Sequence, residues 1–106
     1  MFVPPSIKTF LDFDRRLSRA IYAIEQLLLK MPGDSTLENL QRQLETAFLR
    51  TRQGNRPSDH DLARFNFGIV ASRELSDIDP ALTKDLAALN YYLDVWPAGV
   101  RSPSWP

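Results

Sequence analysis

Hydrophobic residues recur every three to four positions along almost the whole chain, which is the period of amphipathic helices. The first helix is predicted to begin at Ser6, an N-cap residue that follows two prolines. Pro32-Gly33 cannot continue a helix, so this element should end near Lys30 or Met31. Its apolar positions at helical spacing are Ile7, Phe10, Leu11, Leu17, Ile21, Ile24, Leu28 and Met31.

A second helix is predicted to begin at Ser35, where Ser35 and Glu38 have the spacing of a capping box. The stretch from Gly54 to Pro57 ends it and starts a loop. One narrow apolar stripe is expected to face the core along this helix: Leu37, Leu40, Leu44, Ala47, Phe48 and Thr51.

A third helix is predicted to start with Ser58 as the N-cap and with Asp59 and Asp61 in its first turn. Gly68 falls in its middle, where glycine costs about 1 kcal/mol relative to alanine. Either a close helix–helix approach offsets that cost or the helix kinks there. The expected buried side comprises Leu62, Phe65, Ile69, Val70 and either Leu75 or Ile78.

Asp79-Pro80 is the sharpest boundary in the chain, because Asp is a good N-cap and Pro is favoured at the first helical position. The fourth helix should end at Pro97 and Gly99. Its apolar face is Leu82, Leu86, Leu89, Leu93 and Trp96. We therefore predict an all-α fold, a compact bundle of about four antiparallel helices arranged as two helical hairpins. We expect one domain over residues 1–96 and a proline-rich tail over residues 97–106.

Composition narrows the class of partner. The 106 residues suit a single domain, and 13 basic residues balance 13 acidic ones. Nucleic-acid binding usually needs a basic excess, so DNA and RNA are not expected partners.

The sequence has no cysteine, no evident signal peptide and no apolar run of the roughly 20 residues that span a bilayer. We expect a cytoplasmic protein that does not enter a membrane.

The residues offer no plausible catalytic, cofactor or metal site. The single histidine, His60, lies at a predicted helix start, where a solvated side chain is the simplest interpretation. No nucleophile can be assigned to it, and no glycine-rich phosphate loop is present. We therefore expect a protein that is not an enzyme, requires no cofactor and binds another protein.

The turn between the third and fourth predicted helices carries the most suggestive charges. Glu74, Asp77 and Asp79 lie within six positions. Residues 1–53 contain eight basic and six acidic side chains, whereas residues 54–106 contain five and seven. Tyr91 and Tyr92 follow on the fourth helix, and because neighbours on a helix diverge, one of the two should be at the surface, where tyrosine often anchors interfaces.

Residues 67–82 and 86–92 together resemble the small helical immunity proteins that neutralise NAD(P)+ glycohydrolase toxins of the bacterial type VI secretion system. The similarity consists of a glycine-containing helix ending in Arg-Glu, an acidic turn, an Asp-Pro cap and a Tyr-Tyr pair. It implies an inhibitor that binds the cognate toxin and blocks its dinucleotide pocket. The matched positions expected to contact the toxin are Arg73, Glu74, Asp77, Asp79, Tyr91 and Tyr92.

The alternative is a helical adaptor or secretion chaperone that binds a different partner. Such a protein would need a large exposed apolar groove, whereas the predicted stripes are narrow enough to be used in the core. Self-association stays open, since an apolar helix stripe can line a core or a dimer seam.

Overall fold

The computed structural model describes Ile7 and residues 9–99, and across them it contains helices and no strand, which confirms the all-α prediction. Ser6, the segment 1–5 and Trp105 lie outside the described residues. The elements are α1 (Phe10–Lys30), α2 (Ser35–Arg50), a 3-10 turn (Arg52–Gly54), α3 (Asp59–Arg64), α4 (Phe67–Glu74) and α5 (Pro80–Gly99). Pro97 thus lies inside α5, and the division at residue 96 stays a prediction.

The four longer helices enclose a single core. α1 packs on α2 and α4 packs on α5, which confirms the two predicted hairpins, and α1–α5 and α2–α4 contacts join them. The short α3 lies at the periphery and has no buried residue. The core is therefore built from α1, α2, α4 and α5, and α3 is held against its outside.

Two predicted N-caps were wrong. Thr9 caps α1, its hydroxyl accepting a hydrogen bond from the Asp12 amide at 3.1 Å, so the helix begins later than Ser6. Asp34 caps α2 by accepting from the Leu37 amide at 2.9 Å, and Ser35 is the first helical residue. A carboxylate at this position also interacts favourably with the helix dipole, which explains why Asp34 is preferred over the neighbouring serine.

The third predicted helix is two helices. Ser58 caps α3 as expected, accepting from the Asp61 amide at 3.1 Å. The chain then becomes extended at Phe65, which turns its ring into the core. Gln43 of α2 holds the break: its side-chain amide donates to Asn66 Oδ1 at 2.7 Å, and its carbonyl oxygen accepts from the Asn66 backbone amide at 2.9 Å.

Gly68 lies at a close approach of α4 and α5. Its amide donates to Asn90 Oδ1 at 2.9 Å in the interior of the protein. A Cβ atom at this position would lie 3.0 Å from Asn90 Cβ and 3.3 Å from Ala87 Cα. The predicted close approach is confirmed, and the chain bends at Phe65 rather than at the glycine.

The predicted core faces of α2 and α5 are confirmed, with Phe48 only partly buried. Two residues of the predicted apolar faces, Leu11 and Ile69, are exposed instead. Of the two alternatives at the end of the third predicted helix, Leu75 is buried and Ile78 is exposed. An aromatic cluster joins α1 to α5, where Phe13 stacks on Tyr92 with ring centroids 4.7 Å apart and meets Trp96 edge-on at 5.6 Å. These rings connect the two hairpins.

Tyr92 is the one buried tyrosine of this cluster and is only 2% exposed. Its hydroxyl has no hydrogen-bond partner among the described residues. Burial raises the pKa of Tyr92 to about 12, and the nearby charge of Asp12 contributes in the same direction. The folded protein therefore favours the protonated phenol.

We expect Gly68→Ala to lower the free energy of unfolding by about 1–2 kcal/mol in chemical denaturation. The overpacking cost against Asn90 and Ala87 is about 1–3 kcal/mol and exceeds the gain in helix propensity of at most about 1 kcal/mol. Ser72→Ala, at an exposed site one turn later, is the control and should cause no loss. Equal stability of Gly68→Ala and wild type would contradict the tight approach.

The buried phenol predicts a pH effect on stability. Because the pKa of Tyr92 is about 12 in the folded chain and lower in the unfolded chain, its contribution is complete below about pH 10 and is lost as the pH rises towards 12. Tyr92→Phe should therefore lose less stability than wild type between pH 10 and 12 in urea titrations. Tyr91→Phe, which changes an exposed neighbour, should retain the wild-type slope.

Candidate partner-binding edge

The turn between α4 and α5 is held by backbone hydrogen bonds. The Leu75 side chain is buried. The backbone carbonyl oxygen of Leu75 accepts hydrogen bonds from the backbone amides of Ile78 at 3.0 Å and Asp79 at 2.8 Å. The side chains between these anchors point outward and are exposed. The turn therefore presents its side chains from a fixed backbone.

Asp79 has the capping role predicted for it. Its carboxylate accepts from the Leu82 amide at 3.0 Å, and its carbonyl oxygen accepts from the Thr83 hydroxyl at 3.0 Å. The side chain is partly buried. Asp79 consequently starts α5 while contributing negative charge to the same end of the bundle.

Carboxylates lie beside an exposed apolar side chain in this turn. Glu74 and Asp77 are both exposed, and Ile78, directly between Asp77 and Asp79, is 52% exposed. We call the group Glu74, Asp77, Ile78 and Asp79 the acidic edge. Arg73, also exposed, precedes it at the end of α4. An apolar centre with a charged rim is the usual organisation of a protein interface.

A cavity of about 160 Å³ adjoins the acidic edge, between the α1–α2 turn and the end of α4. Its walls combine apolar side chains with carboxylates: Met31, Asp34, Leu37, Glu74, Leu75 and Ile78. Lysine and arginine have an aliphatic stem and a cationic head, and they match this combination. The cavity can therefore accept a basic side chain from a partner.

Tyr91 belongs to a different surface. At the α4–α5 contact, Gly68 faces Asn90, while Phe67 and Leu89 point into the core. Ile69 follows Gly68 on α4, and Tyr91 follows Asn90 on α5, so both side chains are turned to the outer side. Ile69 is 60% exposed and Tyr91 is 63% exposed. Twelve residues of α-helix place Tyr91 roughly 18 Å along α5 from Asp79.

The structure brings Glu74, Asp77 and Asp79 together and places Tyr91 apart from them. Tyr92 was wrongly expected among the surface contacts, because it is stacked on Phe13 in the core. Sequence reasoning missed Ile69 as a surface residue and left open whether Leu75 or Ile78 is buried. A helix restarting at Phe67 would have indicated this, since Phe67, Ala71 and Leu75 then form the buried stripe.

The described residues contain no group of three or more His, Cys, Asp or Glu side chains positioned to hold a metal ion. His60 is exposed in the first turn of α3. None of the helices in the described part of the chain combines the length and apolar character needed to cross a membrane.

Comparison with known proteins identifies the family. Neither a curated protein nor a solved structure matches the chain. The sequence model of the Tsi6 family matches residues 14–94, which covers α2 to α4, most of α1 and most of α5. The match includes every residue of the acidic edge. The chain therefore belongs to Tsi6, a family of type VI secretion immunity proteins.

Proposed function

We propose that this protein is a cytoplasmic bacterial immunity protein that binds a cognate NAD(P)+ glycohydrolase toxin and blocks its dinucleotide pocket, without chemistry of its own. Membership of the family supports the immunity role. The acidic edge is the observation that supports occlusion of such a pocket, because it combines carboxylates, an exposed isoleucine and a fixed backbone.

The toxin's substrate explains why negative charge suits this role. A pocket that binds a dinucleotide must attract phosphate groups, so its mouth should be electropositive. Glu74 and Asp77 would be attracted to that mouth, and the small cavity beside them could receive one of its basic side chains. Complementary charge mainly accelerates encounter and fixes orientation.

The exposed isoleucine supplies a different contribution. Ile78 can be desolvated at the centre of the contact, where apolar burial contributes about 25 cal/mol for each Å² removed from water. The hydrogen bonds to the Leu75 carbonyl oxygen already order the turn, so binding loses little backbone entropy there. Ile78 should therefore act after encounter, by slowing dissociation.

The function is tested by mixing the purified protein with the purified toxin domain encoded beside its gene and following NAD+ and NADP+ consumption. Inhibition should be complete near a one-to-one ratio. An unrelated NAD+ glycohydrolase should keep its full activity under the same conditions. Tight binding that leaves dinucleotide consumption unchanged would exclude occlusion of the pocket, and absence of binding would exclude this toxin as the partner.

Removing two carboxylates from the acidic edge should slow toxin binding. For Glu74→Ala/Asp77→Ala we expect the association rate constant at low salt to fall by about tenfold or more, because steering accounts for rate increases of that order. The difference from wild type should shrink as salt is added, since screening removes the wild-type advantage. Stopped-flow or surface-based kinetics over a range of ionic strength measures both effects.

The matched control is Glu25→Ala/Glu45→Ala, which removes two exposed carboxylates from α1 and α2. It changes the net charge equally but leaves the acidic edge intact. An equal loss of association rate in both double variants would mean that only the overall charge matters. An unchanged rate in Glu74→Ala/Asp77→Ala would reject docking through the acidic edge.

Ile78→Ala should change the dissociation rate constant of the toxin complex rather than the association rate constant. Loss of a centrally buried side chain typically costs about 1–3 kcal/mol of binding energy, so dissociation of the toxin complex should accelerate by about fivefold or more. Leu11→Ala truncates another exposed apolar residue, at the start of α1, and should leave the dissociation rate unchanged. Identical dissociation rates for the two variants would place Ile78 outside the interface.

A further inference from the structure

A second polar cleft lies between α2 and α3, away from the acidic edge. It encloses about 330 Å³ and runs along α2 from Asn39 to Arg50. Eleven residues of helix correspond to roughly 16 Å. Arg64 and Phe65 belong to the opposite wall, which the short α3 and its end provide.

Both ends of this cleft are fixed by side-chain contacts. Near one end, the Gln43 side chain forms its two hydrogen bonds with Asn66, at 2.7 and 2.9 Å. At the other end, Arg50 Nε lies 3.1 Å from Asp61 Oδ2 and ties α3 to the end of α2. The cleft is therefore a built feature of the fold, although α3 contributes no buried residue.

The lining carries excess positive charge. Three arginines, Arg42, Arg50 and Arg64, face the cleft together with a single carboxylate, Asp61. Asp61 pairs with Arg50, and neither Arg42 nor Arg64 has an ion-pair partner among the described residues. A local excess of two positive charges in a chain of net charge zero favours an anionic occupant.

The shape and the remaining lining indicate which kind of anion fits. Asn39 and Thr46 add hydrogen-bonding groups beside the arginines along the α2 wall. An extended segment of about five residues spans roughly 16 Å, whereas one phosphate ion would occupy only a small part of that length. Arginine binds carboxylates with paired hydrogen bonds. Nucleic acid is disfavoured because its affinity needs a more extensive basic surface.

We propose that the α2–α3 cleft binds an extended, carboxylate-rich segment of a partner protein, with Arg42 and Arg64 holding the carboxylates. This site is separate from the acidic edge and has the opposite charge. The proposal does not depend on which toxin the protein neutralises or on how the toxin is blocked.

The test is an NMR titration of the full chain with an acetylated hexaglutamate peptide at low salt. Amide signals of residues 39–50 and 59–66 should shift saturably, and added sodium chloride should weaken the binding. Arg42→Gln/Arg64→Gln should reduce the affinity by about tenfold or more, which corresponds to about 1.4 kcal/mol. Arg15→Gln/Arg19→Gln removes two exposed arginines of α1 as the control and should retain wild-type affinity.

Two further ligands separate the possible sources of binding. Hexaglutamine should produce no saturable shift, because it has the same length without the charges. Inorganic phosphate should bind far more weakly than hexaglutamate. Equal binding of phosphate would assign the cleft to small anions, and equal weakening by both arginine pairs would indicate non-specific attraction. Either result, or the absence of shifts in the cleft with hexaglutamate, would overturn the proposal.

Discussion

The hydrogen bond from the Gly68 amide to Asn90 fixes the separation of α4 and α5, and the second hairpin depends on it. An isolated helix of eight residues is marginal in water, so α4 requires tertiary support. Asn90 supplies an acceptor for one of its first amides, while Gln43 binds the Asn66 amide immediately before it. The absence of a side chain at Gly68 permits this approach and turns Ile69 and Tyr91 outward.

Long helices with regular apolar spacing were predictable from the sequence, and short or interrupted ones were not. The core faces of α2 and α5 followed directly from their period. The break at Phe65 depends on Gln43, which lies 23 positions before Asn66 and could not be paired with it by local pattern. The cap of α2 was misassigned for a more local reason, because two good capping residues, Asp34 and Ser35, are adjacent.

The candidate site was predictable in its charges and not in its apolar contacts. Glu74 and Asp77 are exposed as charged residues in a turn generally are. Ile78 was left as an alternative to Leu75 for the core because the helix break that changes the buried stripe was not recognised. The choice between Tyr91 and Tyr92 is decided by Phe13, a residue of another helix that stacks on Tyr92. Local sequence could establish that the two tyrosines diverge, but not which one is buried.

Zero net charge conceals two oppositely charged surfaces in this protein. Residues at the start of α2, Asp34 and Leu37, line the small cavity beside the acidic edge, whereas Asn39 to Arg50 line the basic cleft. Two surfaces of opposite sign resist a reversed docking pose, because like charges would then face each other across the interface. If one toxin binds both the acidic edge and the α2–α3 cleft, the acidic edge would determine which part of the toxin is covered. The cleft would then determine how the toxin is rotated about its contact with the acidic edge. Charge segregation would then provide orientation and partner discrimination that net charge alone cannot.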